Sequence, residues 1–84
     1  MRVVFLHPRG SGTFPAEVDD TTEGRQCIEN LIKEAFLDTE PEERPYTLTL
    51  ARTRKEILRN MTMKEAGVKD NDTIEVDQRE KGAQ

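Results

Sequence analysis

Hydrophobic positions along this chain change period several times, and each change marks an element. Arg2-Val3-Val4-Phe5-Leu6 is apolar at consecutive positions and rich in β-branched and aromatic residues. That pattern predicts a central strand, with one face on the core and the other partly covered. His7-Pro8-Arg9-Gly10-Ser11-Gly12 follows, and its proline and two glycines make a loop longer than a two-residue hairpin turn. Thr13-Phe14-Pro15-Ala16-Glu17-Val18 then alternates, with Phe14, Ala16 and Val18 on one face. Pro15 has no N–H to give a ladder, so this second strand belongs at a sheet edge.

Past Asp19-Asp20 the period becomes helical. Thr21 or Thr22 is the expected cap, and Glu23 meets the positive end of the helix dipole. Gly24 is expected to weaken the first turn slightly. From Arg25 to Phe36, the residues Cys27, Ile28, Leu31, Ile32, Ala35 and Phe36 form one stripe, with Arg25, Glu29, Lys33 and Glu34 towards solvent. Residues 38–45 are acidic, bracketed by Pro41 and Pro45, and without periodicity, which predicts an exposed loop. Tyr46-Thr47-Leu48-Thr49-Leu50 alternates with Tyr46, Leu48 and Leu50 inward. Arg52-Thr53-Arg54 turns the chain into a short return strand, Lys55 to Leu58. Met63 to Ala66 is one turn of good helix formers that Gly67 can close in the left-handed conformation, and Val68 is an anchor. Lys69-Asp70-Asn71-Asp72 reads as a tight turn before the alternating strand Thr73-Ile74-Glu75-Val76.

Two strands, a helix and three further strands predict a two-layer α+β domain, a mixed four- to five-stranded sheet with one helix packed across it. The last strand is expected to join the N-terminal strand in the middle of the sheet. The residues Thr47-Leu48-Thr49-Leu50-Ala51, Thr62 to Val68 and Lys69 to Val76, with Ile28-Glu29-Asn30-Leu31 on the helix, resemble the ubiquitin-like β-grasp family. The resemblance covers residues 1–77, and residues 78–84 are expected to be a flexible C-terminal tail. It implies a small non-catalytic protein that acts through protein–protein contacts, as an adaptor or assembly subunit. The alternative it implies is a modifier or sulfur carrier handled by activating or conjugating enzymes. Such members are similar in ending on Gly-Gly, whereas this chain ends Gly82-Ala83-Gln84, so Gln84 would have to be trimmed or itself activated.

Composition narrows these readings further. Acidic residues outnumber basic ones, 17 to 13, and a net charge of −4 argues against a nucleic-acid partner. With hydrophobic residues at 33% and charged ones at 36%, the chain is polar for a folded domain, yet its apolar positions are periodic, which argues against wholesale disorder. One cysteine, Cys27, allows no internal disulfide and no thiolate cluster. Met1 to Leu6 is too short for a signal-peptide core, and no apolar run reaches membrane length. The expectation is a cytoplasmic monomer with no membrane partner.

No residue combination announces catalysis, a metal or a cofactor. His7 is the single histidine and sits in a loop; Cys27 lies on the helix stripe, where a small buried hydrophobe is expected. Asp19-Asp20 and Glu42-Glu43 read as cap and loop residues, and Gly10-Ser11-Gly12 lacks the helix and Lys-Ser/Thr of a phosphate cradle. The candidate partner surface is the outward sheet face at Thr47, Thr49 and Glu75, joined by Asp77. Where the resemblance places an aliphatic contact patch, these positions offer no large aliphatic side chain. A second candidate is the basic group Arg52, Arg54 and Lys55, with Arg59. The candidate processing or conjugation site is Gly82, Ala83 and Gln84.

Overall fold

The computed structural model describes residues 1–10 and 12–78. Five strands and one helix follow in the order β1 (Arg2–Leu6), β2 (Thr13–Glu17), α1 (Gly24–Lys33), β3 (Tyr46–Leu50), β4 (Lys55–Ile57) and β5 (Asp72–Gln78). The strands form one mixed sheet in the order β2-β1-β5-β3-β4. β1 and β5 run parallel at its centre, and the other neighbours are antiparallel. This is a small α+β architecture consistent with a β-grasp.

β1 is central because its consecutive apolar residues can be accommodated only where both faces are at least half covered. β2 lies at the edge, where the missing N–H of Pro15 is tolerated. The inward row of the sheet supplies Val3, Phe5, Tyr46, Leu48, Leu50, Ile57, Ile74 and Val76, and α1 adds Cys27, Ile28 and Leu31 to the same core. Phe14 and Ala16 of β2 and Ile32 and Phe36 pack against its rim.

Three local features depart from expectation. The helix N-cap is Glu23, not Thr21 or Thr22. Thr22 instead accepts a hydrogen bond from the Asp19 N–H at 3.0 Å, while the Glu23 N–H donates to Gln26 Oε1 at 2.8 Å. The N–H groups of Gly24 and Arg25 donate to the carbonyls of Met61 and Arg59, both at 3.0 Å. The start of α1 is therefore satisfied by backbone from the segment after β4, which removes the need for a threonine cap. The helix also ends at Lys33, because Ala35 adopts φ 63° and the Phe36 and Leu37 N–H groups both turn back to the Leu31 carbonyl. β4 stops at Ile57, and Leu58 is 49% exposed.

The segment before β5 keeps its expected left-handed glycine and turn, and adds a cap at its start. Thr62 and Glu65 form a reciprocal capping pair, with N–H bonds of 2.8 Å to Glu65 Oε1 and 3.1 Å to Thr62 Oγ1. Gly67 closes the turn at φ 78°, and Val68 donates to the Met63 carbonyl at 2.9 Å. Met63, fully buried, fastens this turn beneath the sheet. Asn71 takes φ 68° in the following turn, and Asp72 Oδ2 accepts the Lys69 N–H at 2.8 Å. β5 extends to Gln78, opposite Tyr46, so position 78 is strand; residues 79–84, including Gly82, Ala83 and Gln84, lie outside the described residues.

Candidate functional site

With α1 on one face, alternation leaves Val4 and Leu6 of β1, Thr73, Glu75 and Asp77 of β5, and Thr47 and Thr49 of β3 on the other. The pairing aligns them in rows. Leu6 lies opposite Thr13 of β2 and beside Glu75, Glu75 lies opposite Thr49, and Thr49 lies opposite Glu56 of β4. Val4 lies between Pro15 and Thr73, and Thr47 lies opposite Asp77. Thr47, Thr49 and Glu75 therefore form one contiguous patch, as the alternation implied.

Val4 and Leu6 complete that patch, and sequence reasoning passed over them. Both are half-buried and neither belongs to the core. The signal was present: an apolar run at consecutive positions of a strand must place some of its residues on each face. Leu6 floors a shallow depression of about 410 Å³ that continues between His7, Pro8 and Gly12 on one side and Glu75 and Asp77 on the other. His7 shapes the loop wall. Its Nδ1 accepts the Arg9 N–H at 3.1 Å, and its ring stands edge-on to Phe36 at 5.2 Å.

The basic group divides. Arg52 donates through Nε and Nη2 to both carboxylate oxygens of Asp72, at 3.0 Å each, and through Nη2 to the Gly67 carbonyl at 2.8 Å. This bidentate bond holds the Asp72 carboxyl below the usual carboxylate range, against the opposing push of desolvation; the Lys69 N–H adds to the effect. Arg52 thereby braces the β3–β4 turn to the start of β5. Arg59 pairs with Glu40 and donates to the Tyr46 carbonyl at 3.2 Å. Arg54 lies 3.8 Å from Glu75, so it borders the outward patch, and Lys55 is exposed beside it. An exposed pair of this length contributes about 0–1 kcal/mol and leaves both groups available to a partner.

Cys27 is buried, and desolvation pushes its thiol up to about 11, so the reactive thiolate is suppressed near neutral pH. Among the described residues, no group of three His, Cys, Asp or Glu side chains is placed to hold a metal ion, and no helix is long and apolar enough to cross a membrane. Comparison with protein-family models and with curated protein sequences finds no match.

Proposed function

We propose that the chain is a ubiquitin-like, non-catalytic protein that binds other proteins through the outward face of its sheet. One observation carries this reading: Leu6 and Val4 stand half-buried on the face opposite the helix, within a rim formed by Thr47, Thr49, Glu75 and Asp77. Apolar side chains inside a polar rim are the arrangement that concentrates binding energy when a partner excludes water. The acidic rim at Glu75 and Asp77 favours a partner with basic residues around an apolar centre, and Arg54 and Lys55 extend the surface at the β4 side.

The test compares capture of cellular proteins by the wild type, Leu6→Ser and the pair Thr49→Arg with Glu75→Arg, all checked for unchanged melting. A specific partner should fall at least tenfold with each variant, about 1.4 kcal/mol or more. An unchanged capture profile would move the interface elsewhere. The same lysate, supplied with ATP, tests the modifier alternative. An isopeptide-linked or thiocarboxylated C-terminus formed from the segment Gly82-Ala83-Gln84 would replace the adaptor reading.

A further inference from the structure

β4 pairs with only the Leu48–Leu50 stretch of β3, so among the described residues no strand lies beside Tyr46 on that side. Its backbone is occupied there nonetheless. The Tyr46 N–H donates to Glu40 Oε2 at 2.5 Å, and the Tyr46 carbonyl accepts from Arg59 Nη2. Arg59 Nη2 also pairs with the same Glu40 oxygen. A backbone N–H and a guanidinium thus converge on one carboxylate, which makes this strand edge a formed carboxylate-binding site. The carboxylate in it belongs to the acidic loop 38–45, pinned at its ends by Tyr46 Oη to the Asp38 carbonyl at 3.0 Å and Gln78 Nε2 to the Arg44 carbonyl at 3.2 Å.

The loop makes an incomplete strand substitute. Pro41 directly follows Glu40 and has no N–H, so the loop cannot continue a ladder along β3. Beside the cradle, Leu58 stands 49% exposed at the rim of a depression of about 380 Å³ that also borders Tyr46, Thr47 and Ile57. An incoming extended segment with one carboxylate could take the place of Glu40, hydrogen-bond the Tyr46 backbone and cover Leu58 with a neighbouring apolar side chain.

We propose that the Tyr46 edge of β3 is a docking site for an extended acidic segment of a partner protein, with Glu40 as its built-in competitor. The site shares Thr47 with the rim of the outward face but not Leu6 or Val4, so Leu6→Ser should not affect it. Intramolecular competitors tethered this closely act at about millimolar effective concentration, so a partner must out-compete Glu40 before it binds.

The test uses the full chain and a capped peptide, Leu-Asp-Thr-Glu-Ala-Glu, which copies residues 37–42 with alanine in place of Pro41. Amide shifts of Tyr46, Thr47 and Leu58 report binding. Glu40→Gln should lower the peptide's Kd roughly tenfold or more, and Arg59→Met, or glutamine at the peptide's fourth position, should raise it by a similar factor. Wild-type protein at millimolar peptide gives the same shifts more weakly, which provides a readout even if Glu40→Gln fails to fold. The proposal is overturned by absent shifts in the wild type at that concentration, or by shifts indifferent to Arg59→Met. A folded Glu40→Gln variant that binds no tighter, or one that pairs with its own copy in sedimentation without binding peptide, would reduce Glu40 to a guard against edge pairing.

Discussion

A methyl group on Gly24 would lie 2.6 Å from the Leu58 carbonyl oxygen, a separation that real Cβ atoms do not adopt. The reason is the close seating of the helix start on the chain after β4, where Gly24 also donates to the Met61 carbonyl. Propensity alone favours alanine over glycine inside a helix by about 1 kcal/mol. Here the contact is with backbone, which cannot swing aside, so overpacking should outweigh propensity. Gly24→Ala is expected to destabilise by about 1–3 kcal/mol, seen as a lower denaturant midpoint at unchanged slope. Ala35 presents the converse case. It holds φ 63° just past the helix, where a side chain is strained and glycine is not. Ala35→Gly should raise stability by about 0.5–1 kcal/mol in the same measurement, and a loss would show that the Ala35 methyl makes a contact outweighing the strain.

Among the elements, the segment from Thr62 to Val76 was the most legible in sequence. Its helix-forming turn, left-handed glycine, Asx-rich turn and alternating strand all act within a few positions of themselves, so local chemistry determines them. What stayed hidden depends on distant partners: the cap of α1 by Met61 and Arg59, the burial of Met63 and Leu37, and the role of Asp72. Asp72 read as a turn residue, yet its carboxylate binds the Lys69 N–H and the Nε and Nη2 donors of Arg52, a residue 20 positions earlier in the β3–β4 turn. The basic group is likewise divided by contacts that its spacing does not reveal: two of its four members, Arg52 and Arg59, pair with the carboxylates of Asp72 and Glu40. This brace sets a pH dependence. The Asp72 carboxyl is depressed in the folded state, so its stabilisation is complete above the unfolded carboxylate value, about 4, and is lost as pH falls through the lower folded value. Asp72→Asn should flatten that acid limb of the melting curve and cost about 1–3 kcal/mol at neutral pH. An acid limb identical to the wild type's would assign the loss to other carboxylates.

At the scale of the molecule, the sheet separates two tasks, because adjacent strands keep their side-chain alternation in phase. Phe5 lies opposite Ile74 on the inward row and Leu6 opposite Glu75 on the outward row, one position along the same two strands. Substituting aspartate at Ile74 or at Leu6 adds the same charge to a chain already at −4, so net repulsion does not distinguish the two variants. Burial does. Ile74 is fully buried, and Ile74→Asp loses about 2–5 kcal/mol of apolar packing and adds an unpaired buried carboxylate worth several more. A domain of this size has about 4–12 kcal/mol in total, so that variant should be unfolded at room temperature. Leu6→Asp loses only part of a half-buried contact and sets a like charge beside Glu75, a repulsion of about 0.2–1 kcal/mol. It should fold cooperatively, with a modestly lower melting temperature and a lost partner. Circular dichroism and thermal melts of the two proteins decide the matter. A cooperative Ile74→Asp transition would contradict the inward row, and an unfolded Leu6→Asp would mean that the outward face is structural and that its apolar residues are not there for a partner.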